Sequence, residues 1–465
     1  MPCSYPCRSL AMRMALALGL LLVPAASAAA RPPAAAPSGL VALATIVVGR
    51  HPYAVALDSA AGRLFVLDSG SYNEPPLQGS RIAVLGTASG RLLQTIPLSP
   101  TISPGNPGGY PGYLALDRRR HRLYVIEDGL QISGPRVPNA PFDVRVLDSR
   151  TGATLDRSPQ QALTLAVDEA SGRAFSLAMA PLPGAPYRYA LLDAGSGRVL
   201  ASLGGRYPAG AVVAPGSDRL YVPVAGPANC TARNPDCLNG GLLTFDTRTA
   251  GLLASSPPTH APYAVAITYP PGRAFVGLSG PGSGHANNPS IPFTPNDRVE
   301  VLDTATGASL ATISRVRITR FGVAFDANRG EAYVLAERKA GGLEVVDLRT
   351  GRTLRALPGV LNSLALPRPQ GGYNPYLSAV EAVMLIADPP RHQLLGVAES
   401  FRPNPVTTAI PSTAYLEDER TGALLGQARV GTGPSALAFD PATGHAFVAN
   451  ADDGTITMLG LAPAP

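Results

Sequence analysis

Residues 433–440, Gly-Pro-Ser-Ala-Leu-Ala-Phe-Asp, form an apolar run that ends in an acidic residue. A short turn, 441–444, separates it from a second apolar run, 445–450, of sequence His-Ala-Phe-Val-Ala-Asn. A polar turn, 451–454, then leads into the alternating run 455–459. Short apolar runs bounded by Gly, Asp and Pro are typical of β-strands. The stretch therefore predicts three antiparallel strands joined by tight turns.

The same pattern recurs along the chain at intervals of roughly 50–60 residues, a period that indicates an all-β propeller of four-stranded blades. Eight copies can be read, and the last has only three strands before the sequence ends. Residues 39–49 match the fourth-strand segment 422–431 of the preceding copy. We therefore expect an N-terminal strand to complete the last blade and close the ring, because closure removes two exposed sheet edges. The seventh copy is the most diverged. If it were an insertion, the propeller would have seven blades.

Repetition also explains the length of the chain. Its 465 residues would ordinarily suggest more than one domain, but a repeat array grows without enlarging a single core. Gly (49) and Pro (48) are abundant and charged residues make up 15%, while 45% of the residues are hydrophobic. Short regular apolar runs at that frequency argue against a disordered chain.

The N-terminal segment has the features of an export signal. Arg8 and Arg13 precede an apolar run at 14–23, which is followed by Ala26-Ser27-Ala28. This order predicts a signal peptide at 1–28, with an uncleaved N-terminal anchor as the alternative. We then expect an Ala/Pro-rich tether at 29–38, and the mature protein in the periplasm or outside a bacterial cell. The propeller is predicted to occupy 39–461, before a short tail at 462–465, and no membrane span is expected in the mature chain.

The charge pattern gives little indication of a polyanionic partner. The net charge is +6 and the pI about 9.2, yet the basic residues are dispersed and Lys339 is the single lysine. No basic run of the kind that binds nucleic acid is present. Nucleic acid is therefore disfavoured as a partner, though not excluded, and the expected partner is an unidentified ligand or protein. We also expect a monomer.

Cys230 and Cys237 are the cysteines that remain after the predicted cleavage. Two close cysteines in an exported protein predict a disulfide. A zinc site would need two more ligands nearby. A redox pair usually has the Cys-x-x-Cys spacing, which this pair lacks.

The repeat resembles the YVTN-type β-propeller family. Residues 434–440 (Pro-Ser-Ala-Leu-Ala-Phe-Asp), 447–450 (Phe-Val-Ala-Asn) and 299–307 (Val-Glu-Val-Leu-Asp-Thr-Ala-Thr-Gly) are similar to its hallmark segments. The resemblance implies the fold of a secreted bacterial propeller. Because related propellers include surface-layer, DNA-binding and enzyme-like proteins, it implies no particular function.

An Asp residue recurs at the end of the first strand of most copies. These residues could form a ring of carboxylates. The preferred interpretation is that each Asp initiates a turn by accepting a hydrogen bond from its own backbone, since Gly follows within a few residues. The first-strand set is Asp58, Asp117, Asp168, Asp326, Asp388 and Asp440.

A meander topology places every long connection on one face of the ring, where binding usually resides. The first strands begin on that face with aromatic and polar residues, which are predicted to line the mouth of a central channel. Alternatively they plug the channel and pack its wall. The candidate mouth residues are His51, Tyr53, Tyr110, Tyr113, Tyr207, His260, Tyr263, Arg320, Phe321 and Glu381.

Motifs that specify chemistry are missing from the sequence. Cys-x-x-Cys-His, His-Glu-x-x-His and Gly-x-Ser-x-Gly do not occur, and Trp is absent. We predict no cofactor, metal ligand or catalytic residue. The favoured function is an exported scaffold that binds a ligand or protein through its long loops. The alternatives are a lactonase- or lyase-like enzyme with its site at the channel mouth, and a structural protein of the cell surface.

Overall fold

The computed structural model describes a chain built almost entirely of β-strands. Residues Ala36–Pro465 form one compact unit. The predicted signal peptide lies outside the described residues, as do Cys230 and Cys237, so export and the disulfide stay predictions. The described residues are 39–70, 79–98, 113–127, 143–182, 185–203, 207–208, 210–214, 216–225, 241–255, 262–268, 272–278, 298–314, 317–337, 343–361, 383–398 and 412–461.

Blades 1 to 4 are antiparallel sheets formed by strands that follow one another along the chain. The first strand of each blade is its inner strand. In blade 4 this strand is divided in two, since β14 and β15 both pair with β16. The strands are β2 (Pro52–Asp58), β3 (Arg63–Asp68), β4 (Arg81–Gly86) and β5 (Leu92–Pro97) in blade 1; β6 (Leu114–Asp117), β7 (Arg122–Glu127), β8 (Asp143–Asp148) and β9 (Thr154–Pro159) in blade 2; β10 (Gln161–Asp168), β11 (Arg173–Leu182), β12 (Ala185–Asp193) and β13 (Val199–Ser202) in blade 3; and β14 (Tyr207–Pro208), β15 (Val212–Ala214), β16 (Arg219–Ala225), β17 (Gly241–Asp246) and β18 (Leu252–Ser255) in blade 4.

Blades 5 to 7 repeat this order, and blade 8 takes its outer strand from the other end of the chain. The strands are β19 (Pro262–Thr268), β20 (Arg273–Leu278), β21 (Arg298–Asp303) and β22 (Ser309–Ser314) in blade 5; β23 (Arg317–Asp326), β24 (Glu331–Glu337), β25 (Leu343–Asp347) and β26 (Thr353–Ala356) in blade 6; β27 (Val383–Asp388), β28 (Gln393–Ala398), β29 (Thr413–Asp418) and β30 (Leu424–Arg429) in blade 7; and β31 (Pro434–Asp440), β32 (His445–Asn450), β33 (Thr455–Leu461) and β1 (Leu40–Val47) in blade 8.

The ring is closed by the pairing of β1 with β33. The two strands are antiparallel, with Leu40 opposite Leu461 and Val47 opposite Thr455, and one irregularity between Ala42 and Ala44. The prediction of eight blades closed by an N-terminal strand is therefore confirmed, and the seven-bladed alternative is wrong.

The core consists of apolar layers between neighbouring blades. The third residue of the second strand is a buried aromatic side chain in most blades, such as Phe65 in blade 1 and Phe447 in blade 8. Burying a side chain of this size stabilises the fold by roughly 1.5–3 kcal/mol. One layer joins blade 8 to blade 1, with Phe447 and Met458 packed against Leu64 and Leu85. The closing junction is thus packed in the same way as the others.

The turns of one face are uniform in length. Four residues join the first strand to the second, and five join the third to the fourth, as at 59–62 and 87–91 of blade 1. The fourth residue of each turn type has a positive φ, between 51° and 75°. We call this side the short-turn face. The fourth residues of the four-residue turns are Gly62, His121, Gly172, Asp218, Gly272, Gly330, His392 and Gly444.

Asp residues hold these turns as predicted. The Asp168 Oδ1 atom accepts a hydrogen bond from the Ala170 N–H, and Asp326 Oδ1 accepts from the Asn328 N–H. Asp388 is the exception, because its carboxylate binds the Arg391 guanidinium at 2.7 Å. The turn after it begins with two prolines, in a single 3₁₀ turn at Pro389–Arg391, and proline has no N–H to donate. For Asp388 the backbone-bonded prediction is wrong.

Within the described residues, no helix is long and apolar enough to cross a membrane.

The tight turns make a testable prediction about packing between blades. A Cβ atom on Gly351, which has φ 71°, would lie 3.0 Å from the Ala311 Cβ and 3.1 Å from the Val301 Cβ in the preceding blade. Gly330 has φ 66°, with nothing within 4 Å of such a Cβ. Gly330→Ala should lower the free energy of unfolding by about 1 kcal/mol through its backbone alone. Gly351→Ala should cost about 1–2 kcal/mol more, because it also overpacks the junction. Urea unfolding measures both variants, and equal losses would contradict this packing.

Candidate functional site

The face opposite the short-turn face carries connections of very different lengths. We call it the loop face, and it is defined by the ends of the second and fourth strands and the starts of the first and third. Two residues lie between β11 and β12 and four between β32 and β33, but 19 lie between β20 and β21, which end at Leu278 and resume at Arg298. Between β26 and β27 the chain runs from Ala356 to Val383. Variation in length is thus confined to this face.

His51 lies at the point where the chain crosses from blade 8 into blade 1. Its Nδ1 atom is 3.0 Å from the carbonyl oxygen of Ala451 in blade 8. A carbonyl only accepts hydrogen bonds, so this geometry assigns the proton to Nδ1. The imidazole is half-buried and joins the β32–β33 turn to the start of β2. His51 therefore bridges the two blades that close the ring.

A buried carboxylate fixes the backbone of this crossing. Asp68, at the end of β3, is 0% exposed. Its Oδ1 atom accepts the N–H groups of Arg50 at 2.9 Å and His51 at 2.7 Å. Its Oδ2 atom accepts from the Arg81 Nε at 3.1 Å. A buried charge is tolerated when it is paired and hydrogen-bonded in this way. Asp68 thus sets the position of His51, a role that the sequence pattern did not predict.

Tyr53 and Tyr113 come together at the start of the inner strands of blades 1 and 2. Their rings meet edge to face, with centroids 5.6 Å apart and planes at 80°. Tyr113 is only 8% exposed and belongs to the apolar core around Phe65, while Tyr53 packs against that core half-buried. Edge-to-face pairs of this kind add about 0.5–1.5 kcal/mol beyond burial. These two predicted mouth residues therefore help to join blades 1 and 2.

The side chains of the other predicted mouth residues are not described by the structure. Tyr207, Tyr263, Arg320 and Phe321 lie in strands of blades 4, 5 and 6, at the positions that the repeat predicts, but their side chains lie outside the description. Tyr110, His260 and Glu381 lie outside the described residues altogether. Lining of a channel mouth by these residues stays a prediction.

Charged side chains cluster on the loop face of blade 2. Glu127, at the end of β7, is bound by the guanidinium groups of Arg145 at 2.9 Å and Arg157 at 2.6 Å. Asp143, at the start of β8, lies 3.6 Å from Arg157. Burial raises the pKa of Asp143, Arg157 lowers it, and the Glu127 carboxylate raises it again. The two arginines offset the two acids, so this part of the face carries balanced charge.

A group of side chains that could hold a metal ion lies on the opposite side of the ring. Among the described residues, Asp326, His392 and Glu419 place one ligand atom each within 4.8 Å of the others. Asp326 ends β23 in blade 6, while the other two lie in turns of blade 7 on the short-turn face. The sequence predicts Asp326 to be a turn residue and predicts no metal ligand.

Comparisons with known proteins give the fold and no family. No protein-family model matches the sequence, and no curated protein matches it. Among solved structures, BamB from Moraxella catarrhalis is similar, with a TM-score of 0.55 and 9% identity over 90% of this chain and 99% of that one. The Dos1 propeller has a TM-score of 0.52 and 12% identity over 91% of this chain and 95% of that one.

The chain is a β-propeller. At these identities the likeness extends to the fold alone. Membership of the YVTN-type repeat family stays a prediction, since no family model supports it.

The role of Asp68 can be tested against a similar carboxylate at the previous crossing. The exposed Asp453 accepts from the N–H and hydroxyl of Thr432 where the chain enters blade 8. Asp68→Ala should lower the free energy of unfolding by about 3 kcal/mol, because two backbone N–H groups and Arg81 lose a buried charged partner. Asp453→Ala should lower it by about 1 kcal/mol, because water can replace an exposed carboxylate. Losses of equal size in urea unfolding would show that Asp68 has no special role.

Proposed function

We propose that this protein is an exported scaffold that binds a protein partner through the loop face. The observation that carries the proposal is the difference between the two faces. The turns of the short-turn face keep four or five residues throughout, whereas the connections of the loop face range from one residue, between Pro159 and Gln161, to the long run between Ala356 and Val383. Long loops on a rigid frame are the usual location of binding residues.

The composition of two of the long connections favours a protein over a nucleic acid. Residues 99–112 contain no charged residue, and residues 279–297 contain one Asp and no Arg or Lys. Nucleic-acid binding depends on cations that neutralise phosphates. Both segments are instead rich in Pro, Gly, Ser and Asn, residues that give adaptable contacts in protein-binding loops. The group of Glu127 and Asp143 with Arg145 and Arg157 adds no net positive charge.

Export and processing form part of the same proposal. The segment 1–28 has the order of a signal peptide, and 29–38 then forms a tether to a propeller at 39–461. A disulfide between Cys230 and Cys237 would constrain the connection between β16 and β17, which begins and ends on the loop face. No described contact favours the lactonase- or lyase-like alternative over a binding role.

A loop exchange tests the proposal, because the protein supplies its own short connection. The four residues Ala451-Asp452-Asp453-Gly454 join β32 to β33. Replacing 226–240, and separately 279–297, with this tetrapeptide should leave circular dichroism and thermal unfolding nearly unchanged. Each exchanged protein, used as bait on the exported proteins of the source cell, should lose a partner that the wild type retains.

The matched control changes the short-turn face. Arg150 and Arg248 have side chains that are 62% and 70% exposed there. Arg150→Ala with Arg248→Ala should leave capture of the partner unchanged. If this double variant abolishes capture while both loop exchanges keep it, the binding site has been assigned to the wrong face.

A further inference from the structure

Two junctions between blades on the short-turn face, that of blades 3 and 4 and that of blades 8 and 1, share a polar contact. The Asp that ends a first strand accepts a hydrogen bond from a hydroxyl group in a turn of the next blade. Thr247, the first residue of the five-residue turn in blade 4, donates to the Asp168 Oδ2 of blade 3 at 2.5 Å. Ser59 of blade 1 donates to Asp440 of blade 8. A carboxylate acceptor is thus matched by a hydroxyl donor.

The junction between blades 6 and 7 has a second carboxylate in place of the hydroxyl. Glu419 occupies the turn position that Thr247 occupies in blade 4, and it faces Asp326, the last residue of β23. Both residues are 0% exposed. Two ionised carboxylates cannot donate to each other, so a proton or a cation is needed between them.

Each of these carboxylates has one oxygen that is bound and one that is not. The Asp326 Oδ1 atom accepts the N–H groups of Asn328 and Arg329, while its Oδ2 atom is buried with no hydrogen-bond partner. The Glu419 Oε1 atom is 2.7 Å from His392 Nδ1, while Oε2 is buried with no partner. Buried oxygens without partners are unusual in folded proteins and indicate a missing ligand.

His392 stands where glycine would be favoured by the backbone. It is the fourth residue of its turn and has φ 55°, in a position occupied by Gly in five other blades. A residue other than Gly with a positive, left-handed φ lowers the free energy of unfolding by about 1 kcal/mol. Its backbone is fixed by two hydrogen bonds, one from its own N–H to the Pro389 carbonyl and one from the Glu419 N–H to its carbonyl. The imidazole is thereby held beside Glu419.

The surrounding arginines leave the site with a negative charge. Arg329 is 3.8 Å from the Glu419 Oε1 but binds Glu331 more closely, at 3.1 Å. Arg355 also binds Glu331, at 3.2 Å. Three carboxylates therefore share two guanidinium groups. Burial raises the pKa of Glu419, His392 lowers it and the Asp326 carboxylate raises it.

We propose that Asp326, His392 and Glu419 bind one divalent transition-metal ion that joins blade 6 to blade 7. A donor set of one imidazole nitrogen and two carboxylate oxygens suits Zn²⁺ or Mn²⁺ better than Ca²⁺ or Mg²⁺, which prefer oxygen ligands alone. The three ligand atoms lie within 4.8 Å of one another. Ligands around Zn²⁺ are about 3.3 Å apart, so a pair of ligand atoms at the 4.8 Å limit would have to approach by about 1.5 Å. The ion replaces the hydroxyl contact seen between blades 3 and 4 and between blades 8 and 1, and acts as a structural link.

Zn²⁺ titration of the purified mature chain, without an affinity tag and after treatment with a chelator, tests this site. We expect the wild type to bind about one more Zn²⁺ than the variants His392→Gly and Glu419→Thr, and its unfolding temperature to rise by a few degrees with Zn²⁺. Ca²⁺ and Mg²⁺ should have no such effect. Both variants place residues that other junctions already use, so they should fold without metal.

A matched control comes from blade 2, where His121 has φ 55° at the same turn position. His121→Gly should bind Zn²⁺ as the wild type does. The proposal is wrong if the wild type and His392→Gly bind equal amounts of Zn²⁺, or if His121→Gly loses the same ion. It is also wrong if Zn²⁺ leaves the unfolding temperature of the wild type unchanged.

Discussion

The pairing of β1 with β33 is the constraint on which the rest of this propeller depends. It brings together the two ends of the described chain, with Leu40 opposite Leu461, and gives blade 8 its outer strand. Without it, β33 would expose an edge of unpaired N–H and carbonyl groups, and the apolar layer between blades 8 and 1 would lose Ala44 and Ile46. The contacts of His51 and Asp68 also depend on it, because they fix the crossing that follows β1.

In the closed ring the two faces have different roles. On the short-turn face, turns of constant length hold the blades together through Asp carboxylates, hydroxyl groups and arginines that reach the next blade. Arg63 and Arg173, for example, donate to turn carbonyls of blades 2 and 4. On the loop face, such uniformity is not needed for packing, and the chain there varies in length and composition. A frame fixed on one side allows sequence on the other side to change.

The repeat made the fold predictable, because each copy carries the same strand periods and turn residues. The candidate metal site of Asp326, His392 and Glu419 was less predictable, since it joins residues from two different blades. Asp388 failed as a turn residue because Pro389 and Pro390 have no N–H to offer it. The Asp326–Glu419 contact depends on which turn faces which strand end, and that follows only from the ring. Aligning the turns in register would have given a signal, namely Glu where Thr recurs and His where Gly recurs.

Disulfide trapping tests the closure most directly. In a chain that lacks 1–38 and has Cys230 and Cys237 replaced by serine, Thr45→Cys is combined with Thr457→Cys, since these residues are opposite each other in the β1–β33 pair. The control pairs Ala42→Cys with Thr457→Cys, because Ala42 lies opposite Leu459 instead. Closure predicts that mild oxidation links the first pair rapidly and raises the unfolding temperature, while the control pair stays reduced. Absence of a link in the first pair, or equal linking in both, would contradict a ring closed by the N-terminal strand.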